Sequence, residues 1–153
     1  MRIIAGKYGK RFIDAPKGLD VRPTTDRVRE ALFSSLYSIV GDFEGLRVLD
    51  AFAGTGSLGI EALSRGAKSC VFCERDRSVI KNLEANIKSL KIPSSSYRIF
   101  QCDVLKNPVI PAPGGPFHMI FMDPPYALDF AEVVSFCNSL RQNGLVSEKN
   151  YFI

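Results

Sequence analysis

Apolar and polar positions along the chain change period several times, and each change marks a predicted element. Residues 2–13 read as a hairpin, with Arg2-Ile3-Ile4 and Arg11-Phe12-Ile13 flanking a turn at Lys7-Tyr8-Gly9-Lys10. A loop carrying Pro16, Gly18 and Pro23 leads to a helix from about Thr25. There Val28, Leu32, Leu36 and Ile39 or Val40 keep a helical period, so they are the expected core face, with Thr24 or Thr25 as cap. Strands are predicted at Arg47–Phe52, Cys70–Glu74, Tyr97–Cys102 and His118–Met122. Helices are predicted at Leu58–Ser64, along Ile80, Leu83, Ile87 and Leu90 up to Pro93, and from Phe130 to Leu140. Residues 107–116, with four prolines and two glycines, read as a loop. Strands alternating with helices of these lengths indicate an α/β fold, a mostly parallel sheet with helices on both faces. Tyr151-Phe152-Ile153 looks like a strand cut short, so C-terminal strands are expected to be missing.

Composition adds one asymmetry. The 153 residues are 46% hydrophobic and 24% charged, ordinary for one globular domain. No stretch approaches the roughly 18 apolar residues of a membrane helix, and the start lacks a secretion signal, so a cytoplasmic protein is expected. Residues 1–29 carry a net charge of +5 and the remainder −1. Such an arm suits a polyanion, usually nucleic acid, or is merely a solvated surface. The division expected from this is residues 1–22 as a basic arm and 23–153 as the catalytic domain. Cys70 and Cys73 form a CxxC, but on a strand they point to opposite faces. Zinc and redox roles fail on that ground, and no metal is expected.

Two motifs carry chemistry. Asp50-Ala51-Phe52-Ala53-Gly54-Thr55-Gly56-Ser57-Leu58-Gly59 follows a strand and opens a helix, the setting of a nucleotide-binding glycine turn. Glu74, at the end of the next strand, can accept both ribose hydroxyls. Asp50 would repel a pyrophosphate but attract the ammonium or sulfonium of a methionine-like ligand. Asp103, ending a third strand, can take an adenine amino group. The second motif is Asp123-Pro124-Pro125-Tyr126. The two prolines cannot pair in a sheet, so they form a stiff extended stub beyond it. It offers the Asp123 carboxylate and the Pro124 carbonyl as acceptors for the two N–H groups of a nucleobase amine. Its lone pair then turns toward a methyl donor, and Tyr126 can stack on the base.

These motifs, in this order, resemble a class I S-adenosylmethionine-dependent methyltransferase acting on an amino nitrogen. Met1–Gly6, Arg22-Pro23-Thr24-Thr25-Asp26-Arg27-Val28-Arg29-Glu30-Ala31-Leu32-Phe33 and Gly59–Ala67 resemble the RsmD family more specifically. The resemblance implies a Rossmann-like sheet preceded by a β-hairpin. It also implies methyl transfer to a guanine N2 of 16S ribosomal RNA in the small subunit or a late assembly intermediate, by a monomer. S-adenosylmethionine would be held by Asp50, Phe52, Gly54, Gly56, Glu74, Asp103 and Val104. Asp123, Pro124 and Tyr126 would hold the guanine, while Arg2, Lys7, Lys10, Arg11, Arg22 and Arg27 would touch RNA. Two other readings share the motifs. One is a DNA adenine-N6 methyltransferase, although its usual large recognition insertion is missing. The other is a non-catalytic RNA-binding assembly factor, which would need neither an intact Asp123 nor the glycine turn.

Overall fold

The computed structural model describes residues 1–16, 25–107, 115–124 and 128–153. Its elements in chain order are α1 (Asp26–Val40), β1 (Arg47–Asp50), α2 (Ser57–Ser64), β2 (Ser69–Glu74), α3 (Arg77–Leu90), β3 (Tyr97–Gln101), β4 (Phe117–Phe121), α4 (Phe130–Gln142) and β5 (Val146–Phe152). The five strands form one sheet in the order β3-β2-β1-β4-β5, every pair parallel. Strand order reverses between β1 and β4, the switch point at which open α/β sheets bind ligands, beyond the carboxyl ends of the strands.

Period-2 alternation divides the core by face. Val48, Cys70, Phe72, Met119 and Phe121 point to one side, where α1, α2, α3 and the N-terminal hairpin pack. Leu49, Val71, Cys73 and Ile120 point to the other, where Phe136 and Leu140 of α4 cover them. Cys70 and Cys73 therefore do lie on opposite faces, and all four cysteines are free thiols. β5 is longer than the terminal stub expected from Tyr151–Ile153. It starts at Val146, and its pairing with β4 shifts between Phe117 and Met119. That irregularity, with polar Ser147 to Asn150 inside the strand, hides β5 from a pattern search.

The predicted core face of α1 holds in part. Leu36 is buried and Leu32 and Val40 pack against the core, but Arg29 and Phe33 are the other buried positions, and Val28 and Ile39 are more than half exposed. The reason is Arg29, which is fully buried and donates to the Arg2 carbonyl and to Asp26 Oδ1, each at 2.6 Å. Placing that guanidinium inside turns the helix so that 29, 33 and 36 face the sheet. Thr25 caps α1 as expected, accepting from the Val28 amide.

The N-terminal segment pairs as a hairpin around one antiparallel bridge, Arg2 with Phe12. Hydrogen bonds run from the Ile3 amide to the Arg11 carbonyl, from the Lys10 amide to the Ile3 carbonyl, and between Met1 and Ile13. Three polar side chains from α2 and α3 clamp it. Glu61, fully buried, accepts from the Ile4 and Ala5 amides at 2.8 and 3.1 Å. Ser64 accepts from Tyr8 and donates to the Ala5 carbonyl. Asn86 accepts from the Asp14 amide and donates to the Asp14 and Thr55 carbonyls. Ile3, Tyr8 and Ile13 accordingly sit in the main core. The boundary expected at residues 22–23 lies outside the described residues.

Glu61 also pairs with Arg65 Nε at 2.8 Å. Glu61→Ala removes a buried acceptor from two amides and one guanidinium, so it should cost about 3 kcal/mol of stability. Urea unfolding measures this, and amide exchange at Ile4 and Ala5 should quicken in the same variant. Unchanged exchange at those two amides would show that the hairpin is held by its apolar contacts alone.

Candidate active site

Asp50, Glu74, Asp103 and Asp123 all follow or end strands at the carboxyl edge of the sheet. Asp50 ends β1 and is 1% exposed. Its Oδ2 accepts from the Gly59 amide at 3.0 Å, in the first turn of α2, so the strand's carboxylate caps the helix packed against it. Burial pushes the Asp50 carboxyl up to about 7; the Gly59 hydrogen bond opposes this, while the charges of Asp123 and Glu74 reinforce it. Gly59 itself is required by close approach. A Cβ there would lie 2.3 Å from the Phe72 ring and 2.7 Å from the Cys70 sulfur.

Between β1 and α2 the chain turns sharply. The Ala53 amide reaches back to the Cys73 carbonyl, the Gly56 amide bonds the Ala53 carbonyl, and Gly56 serves as the left-handed N-cap of α2. The Gly54 amide donates to Glu74 Oε2 at 3.0 Å, which joins the glycine turn to the end of β2. Glu74 Oε1 accepts from the Arg75 and Asp76 amides. Both Glu74 oxygens are thereby aimed by backbone donors; Oε1 is filled by two, and Oε2, with one, keeps a site for a further hydroxyl. Around Gly54 (φ +52) the only neighbour a Cβ would meet among the described residues is the Phe52 carbonyl, at 4.0 Å. Among those residues the turn is therefore open around Gly54.

Asp103 follows β3; its Oδ1 accepts from the Leu105 amide at 3.1 Å, and its Oδ2 lies 3.9 Å from Arg75 Nη1. Val104 is buried and Phe52 half-buried, both on the α4 side of the sheet. Beyond β4, the Ala51 amide bonds the Phe121 carbonyl and the Met122 amide bonds the Ile153 carbonyl. Those bonds fix the strand end on both flanks immediately before Asp123, which is exposed, and Pro124, which is half-buried. Asp50, Glu74 and Asp123 lie close enough for the latter two charges to act on the first, whereas Asp103 stands toward the β3 edge. Pro125 and Tyr126 lie outside the described residues, as does Arg22.

The basic residues occupy other places. Arg2 is exposed and 3.8 Å from Asp26, and Arg27 is exposed in the first turn of α1. Lys7 and Lys10 are exposed at the hairpin turn. Arg11 has a structural job that charge alone does not reveal. It donates to the Ser89 and Leu90 carbonyls at 2.5 and 3.0 Å, closing the C-terminus of α3. Glu61, Ser64, Asn86 and Arg29 were not singled out from sequence. The available signal is a polar residue on the buried face of an otherwise apolar helix.

A family model described as Conserved hypothetical protein 95 matches residues 1–153. The chain belongs to that family. It is 36% identical over 149 residues to Ribosomal RNA small subunit methyltransferase D of Escherichia coli (strain K12), covering 97% of this chain and 71% of that one. It is also 39% identical over 128 residues to Putative rRNA methyltransferase YlbH of Bacillus subtilis, covering 82% of this chain and 67% of the relative. Among solved structures, putative methyltransferase yhhF from E. coli superposes with a TM-score of 0.80 at 35% identity, over 99% of this chain and 78% of that one. A magnesium protoporphyrin IX methyltransferase from Synechocystis with bound SAM shares the fold at a TM-score of 0.60 and 17% identity, over 79% of this chain and 54% of that one. The fold is that of the class I methyltransferases.

Proposed function

We propose that this protein transfers a methyl group from S-adenosylmethionine to the exocyclic N2 of a guanine in 16S ribosomal RNA, in the small subunit or a late assembly intermediate, acting as a monomer. The observation that carries the reading is the open glycine turn tied to Glu74 and set beside the Asp123–Pro124 stub at the point where strand order reverses. Names of the family relatives point the same way.

The residues present fit this cofactor. Glu74 Oε2 has an acceptor site for a ribose hydroxyl, Asp103 can accept from the adenine amino group, and half-buried Phe52 supplies apolar surface backed by buried Val104. Asp50 is a buried acid toward which a methionine ammonium is drawn. When bound, S-adenosylmethionine supplies a methyl carbon made electrophilic by its sulfonium. Everything else falls to the chain. Asp123 and the Pro124 carbonyl accept the two N–H groups of the guanine amine, and Tyr126 stacks on the ring. A lone pair otherwise shared with the ring is thereby aimed at the carbon. The methyl carbon would exchange its bond to sulfur for the bond to nitrogen, leaving the cofactor as a neutral thioether, and the surplus proton would leave through solvent, which reaches the exposed Asp123. Among the described residues no helix is long and apolar enough to cross a membrane.

The test uses labelled cofactor and small subunits from a strain lacking the enzyme. Label should appear on one guanine N2 after nuclease digestion. Label on adenine N6 of DNA, or cofactor binding without any transfer, would overturn the assignment.

A further inference from the structure

The two ends of the sheet differ in charge, and the hairpin turn sits at the end away from the acids. Helices α2 and α3 run antiparallel to the strands, and the turn is fastened to their last residues. Lys7 donates its amide to the Ser64 carbonyl, and Arg11 reaches Leu90. Lys7 and Lys10 therefore lie beside the amino ends of the strands, a strand length of about 13–20 Å from the Asp50–Glu74 rim. At that same end a cleft of about 550 Å³ opens where β1, β2 and β3 begin.

Among the described residues, the cations Arg47, Lys68 and Arg98 line it. Hydroxyl-bearing Ser69, Ser95, Ser96 and Tyr97 share the wall with Cys70 and Gly115, and no carboxylate among the described residues is part of it. Arg47 and Arg98 are held by backbone carbonyls: Arg47 Nε donates to Pro116 at 2.9 Å, and Arg98 Nη1 donates to Ser94 and Tyr97 at 2.8 Å. Their charge is thus positioned but not neutralised by those partners. Asp42 and Glu44, on the loop before β1, are not among the lining residues. Lys91, the residue after α3, lies between the Ser94–Ser96 turn and Leu90, whose carbonyl takes Arg11 of the hairpin.

We infer that this cleft is a second nucleic-acid contact, holding phosphates of the substrate RNA at the end of the sheet opposite the methyl-transfer site. The inference rests on the RNA reading of the function. Fixed guanidinium and ammonium groups beside hydroxyl donors suit phosphate oxygens. Cations at the cleft, at Lys91 and at the hairpin turn, all at one end of the sheet, suit a polymer better than a single nucleotide. The contact contributes affinity and register, not chemistry.

The experiment measures binding and methylation of small subunits from the enzyme-lacking strain over a range of about 50 to 200 mM salt. Lys68→Ala combined with Arg98→Ala should raise KM while leaving kcat and cofactor affinity as in the parent. Loss of two phosphate contacts should flatten the log–log salt dependence by roughly 1.4–1.8. If the double variant folds poorly, Lys68→Glu alone, at an exposed position, should weaken binding further than Lys68→Ala. A parent protein that neither binds nor methylates the particle overturns the functional reading and this inference with it. Parent-like affinity and salt slope in the variants, with the parent active, overturn the cleft alone. So does loss of AMP binding with RNA affinity intact, which marks the cleft as a small-ligand site.

Discussion

Replacing Asp123 with alanine should lower turnover by about 10²- to 10³-fold, the usual cost of removing one preorganised polar contact at a reacting centre. Cofactor affinity should stay within a factor of two or so, because Asp123 stands on the far side of the strand reversal from Glu74 and Asp103. The backbone argument sharpens this expectation. Bonds at Ala51 and Met122 hold the end of β4 whatever side chain follows, so the variant keeps the strand end and loses the acceptor together with its charge beside Asp50. Single-turnover methylation measures the effect, with calorimetry of cofactor binding beside it. Asp123→Asn keeps an oxygen that can accept the same N–H, so it should recover part of the rate and fall short of the parent by the lost charge. A variant within tenfold of the parent rate would remove Asp123 from the orientation of the amine.

Asp50 should make both stability and cofactor binding depend on pH. Its carboxyl holds a proton up to about 7 in the folded protein, whereas in the unfolded chain it releases one near 3.9. Between those values the folded state binds more protons. The contribution to stability is therefore complete below about pH 4 and falls as pH rises through 7. Across that interval the loss is on the order of 4 kcal/mol. Asp50→Asn keeps an oxygen for the Gly59 amide and has no charge to bury, so urea midpoints of parent and variant should diverge steadily from pH 4 to 7. A cationic ligand drawn to Asp50 favours its ionised form, so the parent's cofactor affinity should rise over the same interval with release of a proton. Parallel stability curves would mean that Asp50 is already ionised across this range.

Much of the site is legible in the chain because its chemistry is local. Strand, acid, glycine turn and helix are consecutive from Arg47 to Ser64, and each strand-end acid closes its own apolar run. The hidden parts depend on partners distant in sequence. Glu61 and the Ile4 amide are 57 residues apart, and Arg11 and the Leu90 carbonyl are 79 apart. No periodicity encodes such pairs. Arg29 misleads a pattern search for the same reason. A buried guanidinium counts as polar, so the search places Val28 on the core face with Leu32 and Leu36, whereas Arg29 takes the buried position beside it. The +5 charge of residues 1–29 is another partial signal. It marks the segment as basic, yet it does not separate Arg11, spent on a helix end, from Lys7 and Lys10, which remain exposed.

The clamped hairpin bears on how such proteins can be recombined. Ile4, Ala5, Tyr8 and Asp14 satisfy their backbone groups on Glu61, Ser64 and Asn86, which belong to two different helices. Grafted onto another Rossmann-like sheet without those three side chains, the segment would carry its polar backbone into an apolar groove with nothing to meet it. Chimeras should therefore tolerate a crossover only when the hairpin travels together with α2 and α3. Residues 1–14 are inherited as part of the catalytic scaffold, not as an exchangeable specificity cassette.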